Sequence, residues 1–156
     1  VRNYYPLITD SLLSLCLSDI KIPGRMELLG HDPLILFDPA HNPAAVMNLV
    51  QYLDKFYRNN CAMIVLSLMA DKDSDTIFKI LADRHICTVF FELDDPRGLQ
   101  ADEVRKKNYP VESIADSPEE LFRILESLKK DLTIFTGTFR VYPVGLRYNN
   151  TMPIKT

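Results

Sequence analysis

An acid, an imidazole and an amide follow one short apolar run in the first third of this sequence. The run, Leu34 to Phe37, predicts a buried strand, and Asp38 comes directly after it. His41 follows, and Asn42 is a good N-cap for a helix whose first position is Pro43. A carboxylate, an imidazole and a helix N-terminus thus meet at the carboxyl end of a strand. Open α/β sheets bind ligands there, and a helix N-terminus favours anions such as phosphate.

Polar side chains also follow the other predicted strands. The strands are Cys61–Leu68, Ile86–Phe91 and Leu132–Phe135, and the groups that follow them are Asp71/Lys72/Asp73, Asp94/Arg97 and Thr136/Thr138. Right-handed crossovers place the carboxyl ends of parallel strands on one edge of the sheet. We therefore expect these groups to converge with Asp38 and His41.

Each of these signals also has a plainer interpretation. Asp38 and His41 are compatible with local turn and capping roles. The Asp71–Asp73 segment is compatible with a solvated loop that caps the next helix, and Arg25, after a Pro-Gly turn, with a surface residue. Lys72 can nevertheless bind a carboxylate or phosphate as a point charge. The expected convergence on one edge is what favours the functional interpretation.

Continuous apolar strands alternate with helical patterns along most of the chain. Such strands are typical of a parallel sheet covered on both faces. The short connection Gly30–Pro33 predicts that Met26–Leu29 pairs with the central strand in antiparallel fashion. The C-terminal stretch has two prolines and an Asn-Asn pair, and only Val141 to Leu146 looks packed. The sequence therefore predicts an α/β fold, mostly parallel, with helices on both faces and one antiparallel strand near the N-terminus.

Bulk properties narrow the possible partners and location. The 156 residues fit one domain, with 47% hydrophobic and 25% charged residues. A net charge of −3 gives no electrostatic basis for binding nucleic acid or an anionic membrane. No apolar run approaches the roughly 20 residues of a membrane span. The cysteines, Cys16, Cys61 and Cys87, lie in apolar contexts that are typical of core thiols in a reducing cytoplasm.

Several well-known site motifs are absent from the sequence. Neither G-x-x-x-x-G-K-[ST] nor G-x-G-x-x-G occurs, so the chain lacks the usual means of gripping the β- and γ-phosphates of a nucleotide. H-E-x-x-H and a Ser-His-Asp arrangement are also missing, and no cluster predicts a metal site.

Four motifs nevertheless stand in a characteristic order between Ile22 and Arg147. They are Pro23-Gly24-Arg25-Met26-Glu27, Phe37-Asp38-Pro39-Ala40-His41-Asn42-Pro43, Asp71-Lys72-Asp73 and Thr136-Gly137-Thr138. In this order and spacing they resemble the C-terminal domain of folylpolyglutamate synthase and dihydrofolate synthase, in the Mur ligase superfamily. The resemblance implies a Rossmann-like unit that closes over an N-terminal P-loop ATPase domain, which is missing here.

The resemblance also implies roles for individual residues. Arg25 would meet the ATP phosphates, Asp38 the ribose or its neighbourhood, and Asn42 would belong to the same ATP site. His41, the candidate catalytic residue, would lie near the transferring phosphate. The residues that would hold the incoming glutamate are Lys72 and Thr138.

The implied reaction is ATP-dependent amide formation on a folate or dihydropteroate carboxylate, through an acyl phosphate. Mg²⁺ would accompany ATP and be bound mainly by the missing domain, so we predict no metal ligand in this chain. Four residues depart from the family pattern: Ile22 for Trp, Pro39 for a small residue, Ser67 for Gly and Thr138 for Ser. They concern substrate choice more than the class of reaction.

The resulting domain division has three parts. Residues 1–21 would be a linker helix from the missing domain, 22–148 the Mur-ligase-type C-terminal domain, and 149–156 a tail. On this interpretation the fragment alone is inactive. Two alternatives stay open: a Mur-type ligase for another amino acid, and a non-catalytic nucleotide-binding module.

Overall fold

The computed structural model describes residues 22–57 and 62–152. The predicted linker helix 1–21, Cys61 and the last tail residues, 153–156, lie outside the described residues. The described chain forms one sheet from the strands β1 (Glu27–His31), β2 (Leu34–Asp38), β3 (Ala62–Leu66), β4 (Cys87–Phe91), β5 (Ser113–Ala115) and β6 (Leu132–Thr136). Their order across the sheet is β1-β2-β6-β3-β4-β5.

All neighbouring strands in this sheet are parallel except the pair at one end. There β1 pairs with β2 in antiparallel fashion, because the connection between them is only a tight turn. The pairs β2–β6, β6–β3, β3–β4 and β4–β5 are parallel. The predicted mostly parallel sheet with one antiparallel strand near the N-terminus is confirmed.

Helices connect the parallel strands and cover both faces of the sheet. They are α1 (Pro43–Phe56), α2 (Ser74–Asp83), α3 (Ala101–Lys106), α4 (Pro118–Leu128) and α5 (Tyr142–Thr151), and a 3₁₀ turn (Phe139–Val141) leads into α5. Within the described residues, no helix has both the length and the apolar character needed to cross a membrane.

The core divides into two apolar layers because successive strand residues face opposite sides of the sheet. On one side, Ile64 and Ile134 pack with the apolar faces of α1, α2 and α3. On the other side, Met63, Val65 and Phe135 pack with α4 and α5. Every residue of β3 and β6 is buried, as expected for strands in the middle of a sheet that is covered twice.

Side-chain caps start the helices that follow β2, β3 and β5. Asn42 Oδ1 accepts the Ala45 N–H at 2.9 Å, and Asp73 Oδ1 accepts the Thr76 N–H at 3.1 Å. Ser117 Oγ accepts from the N–H of Glu120 at 3.4 Å, ahead of Pro at the first helical position. These bonds satisfy backbone donors that lack partners inside a helix.

The N-terminal hairpin differs from the prediction in its turn. We expected a turn over Gly30–Pro33, but β1 continues through Gly30 to His31, with a bulge between Leu28 and Gly30. Gly30 is used for close packing: a Cβ there would lie 2.2 Å from Asn149 Oδ1 on α5. A glycine can mark such an approach inside a strand as well as a turn.

The C-terminal segment is more ordered than the sequence predicted. The helix α5 continues to Thr151, past the expected domain boundary at residue 148, and its Tyr148 is buried between α4 and the sheet. The ring of Tyr148 lies 5.2 Å from that of Phe122 and 5.9 Å from that of Phe135, centroid to centroid. Tertiary packing of one aromatic side chain thus outweighs the weak helical signal of the Asn-Asn pair.

Candidate functional site

The carboxyl ends of β2, β6, β3 and β4 lie side by side. Asp38 is opposite Thr136, Thr136 is also opposite Leu66, and Leu66 is opposite Phe90. Neighbouring strands are about 4.8 Å apart, so the loops that follow these residues leave the sheet from adjacent positions. We refer to this region, at the ends of these four strands, as the carboxyl edge.

Arg25 lies in a turn that is tied to the end of β2. The Gly24 N–H donates to Glu27 Oε2 at 2.6 Å, and the Met26 N–H donates to Asp38 Oδ2 at 3.1 Å. The Asp38 carboxylate therefore fixes the turn that carries Arg25. This bond is a local turn contact, as expected if Asp38 has only a structural role. The same bond also brings Arg25 and Asp38, the two candidate ATP-binding residues, close together.

A cavity of about 290 Å³ opens between Arg25, Asp38 and the start of α1. Asn48 and Tyr52, further along that helix, are also part of the lining. A guanidinium and a carboxylate in one cavity suit a ligand that carries both anionic and hydroxyl groups, because the guanidinium only donates and the carboxylate only accepts hydrogen bonds. A nucleotide has both kinds of group.

His41 and Asn42 follow β2 in the positions that the sequence indicated. His41 Nδ1 lies 2.9 Å from the carbonyl oxygen of Pro39, and because a carbonyl only accepts, the hydrogen of this bond is on Nδ1. In the neutral ring, Nε2 is then the acceptor. Asn42 is exposed, and its side-chain oxygen caps α1, so any contact with a ligand would use its amide nitrogen or backbone.

The loop after β3 carries Asp71 and Lys72. Lys72 Nζ donates to Asp71 Oδ2 at 2.8 Å, and the lysine side chain is 30% exposed. The hydrogen bond from the Lys72 ammonium lowers the pKa of Asp71, and a smaller electrostatic interaction with His41 acts in the same direction. The loops after β2 and β3 are therefore within electrostatic range of each other.

Thr138 follows β6 after a tight turn that requires glycine. Gly137 has φ +98°, and a Cβ at this position would lie 2.0 Å from the backbone oxygen of Ser67. The Thr138 side chain accepts the Arg140 N–H at 3.3 Å, which leaves its hydroxyl hydrogen able to donate to a ligand. Ser67, a departure from the family pattern, is fully buried and donates to the Phe91 carbonyl at 2.8 Å, so its side chain joins β3 to β4.

The structure thus brings the predicted site residues to one edge of the sheet, in two groups. Arg25 and Asp38 share a cavity over the end of β2, whereas Lys72 and Thr138 belong to the loops after β3 and β6. Within the described chain no direct contact joins Lys72 to Thr138, and their roles stay predictions.

One ionic cluster at this edge was missed by the sequence interpretation. The Asp95 side chain is only 7% exposed, and it forms ion pairs with Arg97 and with Arg140 Nη1. The Arg97 backbone N–H, followed by its side chain, lowers the pKa of the Asp95 carboxyl, and the Arg140 charge acts in the same direction. The only signal in the sequence was the acidic run after β4, and nothing local connects it to Arg140.

A larger cavity, of about 600 Å³, lies at the amino ends of β2 and β6, away from these motifs. Lys129 and Tyr148 are part of its lining, and burial raises the pKa of Tyr148 to about 12. None of the predicted site residues lines it. We therefore place the candidate site at the carboxyl edge, where the chemistry is concentrated.

Cys87 and the acidic side chains do not form a metal site in the described part of the chain. Among those residues, no three His, Cys, Asp or Glu side chains are grouped closely enough to hold an ion. Cys87 is half-buried on β4, and burial raises the pKa of its thiol, which makes the thiolate less accessible.

Comparison with known proteins defines the class of this domain. Residues 24–139 match the model of the family described as Mur ligase, glutamate ligase domain. The chain therefore belongs to this family.

Curated relatives point to one branch of that family. The chain is 27% identical over 134 residues to the dihydrofolate synthase/folylpolyglutamate synthase of Bacillus subtilis, with 84% of this chain and 31% of the relative covered. It is 28% identical over 136 residues to the protein of the same name from Buchnera aphidicola subsp. Acyrthosiphon pisum, with 85% and 33% covered. The chain spans about a third of the length of these relatives.

Solved structures show the same fold. Folylpolyglutamate synthase from Mycobacterium tuberculosis, complexed with ADP and AMPPCP, superposes with a TM-score of 0.71 at 20% identity, covering 99% of this chain and 38% of that one. The bifunctional folylpolyglutamate synthase/dihydrofolate synthase of Yersinia pestis, complexed with AMPPNP and Mn, superposes with a TM-score of 0.69 at 24% identity. This match covers 92% of this chain and 35% of that one.

Proposed function

We propose that this chain is the C-terminal domain of an ATP-dependent ligase that adds glutamate to a folate or dihydropteroate carboxylate. The convergence of Arg25, Asp38 and the loops after β3 and β6 on one edge of the sheet carries the proposal. Family membership and the names of the curated relatives support it. A cytoplasmic location is part of the same proposal.

The reaction needs positive groups at the places where negative charge develops. A folate carboxylate takes the γ-phosphoryl group of ATP and becomes an acyl phosphate, with ADP as the leaving group. The glutamate amine then attacks the acyl carbon, and phosphate leaves as the amide forms. Both the acyl phosphate and the tetrahedral intermediate are anionic, so fixed cations and oriented donors stabilise them.

Arg25 and Asp38 are the residues that we assign to ATP. The guanidinium would bind phosphate oxygens as a planar donor, and the carboxylate would accept a ribose hydroxyl. Asn42 would contribute from the N-terminus of α1, where backbone N–H groups also favour phosphate. The geometry that supports this assignment is the shared cavity and the bond from the Met26 N–H to Asp38.

His41 is assigned to the transferring phosphate, and Lys72 and Thr138 to the incoming glutamate. The Nδ1 bond to Pro39 orients the imidazole, so that its Nε2 is the nitrogen available to a reacting group. Lys72 would bind a glutamate carboxylate as a point charge, and the Thr138 hydroxyl would donate a hydrogen bond to the same substrate. The half-buried position of Lys72 supports such a role.

Mg²⁺ and most of the phosphate contacts are assigned to an N-terminal P-loop domain. The described residues of this chain have no donor set for the ion, and the sequence has no phosphate-cradling loop. When bound with ATP, the metal would neutralise phosphate charge. The residues of this chain would bind the incoming glutamate and complete the ATP site.

The first test is turnover by the full-length enzyme that contains this domain. ADP release would be measured with a panel of amino acids against dihydropteroate and tetrahydrofolate. We expect ADP only when glutamate and a folate substrate are both present. ADP formation with a different amino acid, and none with glutamate, would instead favour the Mur-type ligase for another substrate.

The second test separates an enzyme domain from a non-catalytic nucleotide-binding module. We expect Arg25→Ala to lower kcat/KM about 100-fold or more, since one charge-assisted phosphate contact is lost in the transition state. Asp38→Asn keeps an acceptor for the Met26 N–H but removes the negative charge. A lower kcat/KM in this variant would therefore report on ligand binding and not on the turn. Arg123→Ala and Asp102→Ala, at exposed helix positions, are matched controls. Unchanged turnover in the Arg25 and Asp38 variants would favour the module.

A further inference from the structure

The ion pair between Asp95 and Arg140 joins two loops of the carboxyl edge that are far apart in the sequence. Asp95 comes from the loop after β4, and Arg140 from the 3₁₀ turn after β6. The carboxylate is nearly buried, whereas the Arg140 side chain is 47% exposed. The acid therefore acts as a fixed anchor, and the guanidinium reaches outward from it.

The anchor itself is rigidly held. Asp95 Oδ1 accepts the Arg97 N–H at 2.9 Å, and the Asp95 carbonyl accepts the Gly98 N–H at 2.8 Å. The same loop is bonded to the loop that carries Lys72: the Ala70 N–H donates to the Arg97 carbonyl at 2.9 Å, and Met69 and Gly98 form an isolated bridge. The loops after β3, β4 and β6 thus form one connected frame.

At the Asp95 carboxylate itself, the paired cations outnumber the acid. Two guanidinium groups, Arg97 and Arg140, share the single Asp95 carboxylate, while Lys72 is paired with Asp71. Among the described residues, Arg140 contacts Asp95 through Nη1, so Nε and Nη2 stay available for an anion. A guanidinium with two such donors matches a carboxylate in bidentate geometry.

Arg140 is also next to a residue already assigned to the amino-acid substrate. Its backbone N–H donates to the Thr138 side chain. Glutamate has two carboxylates, and Lys72 is one cation for one of them. We propose that Arg140, positioned by Asp95, binds the other carboxylate of the incoming glutamate and so selects a dicarboxylic amino acid. This inference rests on the proposed function.

The test compares KM and kcat for glutamate in the full-length enzyme. We expect Arg140→Ala to raise the glutamate KM about 10- to 100-fold, the range for one lost charged hydrogen bond. The ATP KM and the thermal midpoint of unfolding should change little. Arg140→Lys keeps the charge without the planar donors and should recover part of the loss. Asp95→Asn should raise the glutamate KM less than Arg140→Ala, because the guanidinium stays but loses its anchor.

Arg147→Ala is the matched control. The Arg147 side chain is 57% exposed and is also paired with an acid, Glu119, but it lies within α5 and not in the loops after β2, β3, β4 and β6. Its kinetic constants should equal those of the wild type.

Two monoamides of glutamate identify the carboxylate that Arg140 binds. Glutamine lacks the side-chain carboxylate, and isoglutamine lacks the α-carboxylate. In the wild type, the monoamide that lacks the carboxylate bound by Arg140 should have a higher KM than glutamate. In Arg140→Ala, this difference in KM should disappear. The other monoamide should remain sensitive to the substitution.

The failures of the two proposals are distinguishable. If the wild type forms no ADP with glutamate, the proposed function fails, and this inference fails with it. If the wild type is active and a folded Arg140→Ala keeps its glutamate KM, only the inference fails. A raised ATP KM with an unchanged glutamate KM would assign the guanidinium to phosphate and would also overturn the inference.

Discussion

Gly137 shows how one residue controls the carboxyl edge. Its positive φ turns the chain sharply after β6, and its missing side chain lets the backbone of Ser67 approach. Thr138, the candidate glutamate-binding residue, and Arg140 follow immediately. The position of both groups therefore depends on a glycine that contacts no ligand in the proposed mechanism.

We predict that Gly137→Ala lowers the free energy of unfolding by about 2–4 kcal/mol, because the new methyl group meets a backbone atom that cannot move without shifting β3. Urea unfolding of the chain, followed by circular dichroism, measures this change. The proposed glutamate site should weaken in parallel.

Gly24→Ala is the matched comparison for this substitution. Gly24 also has a positive φ, +74°, but the nearest atom to a new Cβ belongs to the exposed ring of Phe139. The ring can rotate away, so we expect a cost of only about 1–2 kcal/mol from the backbone conformation itself. Equal losses for the two variants would contradict the steric explanation at Gly137.

At the scale of elements, a tyrosine fastens the chain after α3 to α2. The ring of Tyr109 stacks on Phe78, with centroids 4.1 Å apart, and its hydroxyl bonds to Ser74 Oγ at 2.9 Å and to the Asp75 carboxylate. Ser74 and Asp75 are the first residues of α2, directly after the Lys72 loop. Lys107 also contacts this group, and its bonds to Tyr109 and Asp75 raise the pKa of the lysine.

We predict different effects for two substitutions of Tyr109. Tyr109→Phe keeps the stacking and should cost about 1 kcal/mol, the usual contribution of a hydrogen bond. Tyr109→Ala also removes the ring and should cost about 2–4 kcal/mol. Thermal unfolding of both variants measures the difference. If they were equally stable, the stacked ring would contribute nothing, and the proposed fastening of α2 would be wrong.

At the scale of the whole molecule, the described chain is a layered α/β structure whose candidate ligand site lies at one edge of its sheet. The sheet is covered on both faces, and its carboxyl edge carries both acidic and basic side chains. Phosphate binding by nucleotide enzymes commonly uses a loop of consecutive backbone N–H groups, and this sequence has no such loop. The proposed chemistry therefore needs a second domain.

We predict that the isolated chain binds ATP only weakly, with a Kd of about 1 mM or more, and does not hydrolyse it. Isothermal titration calorimetry of the chain, beside the full-length enzyme as control, measures this affinity. A micromolar Kd for the isolated chain would show that its Arg25 and Asp38 cavity holds the nucleotide unaided, against this prediction.

Features that depend on neighbouring residues could be predicted from the amino-acid sequence. The apolar runs predicted the parallel strands, and Asn42 marked the start of a helix, because these signals are local hydrogen bonds and burial patterns. The motif spacing also predicted which loops meet at the carboxyl edge, since parallel connectivity alone places strand ends together.

Features that depend on distant partners became visible only in the folded chain. The pairing of Asp95 with Arg140 joins two loops through side-chain reach, which no local pattern encodes. Gly30 lies in a strand that packs against α5 and is not part of a turn. Tyr148 extends α5 because its ring fills a space between α4 and the sheet. Such contacts follow from the shape of the assembled core, where packing outweighs the weak preferences of single residues.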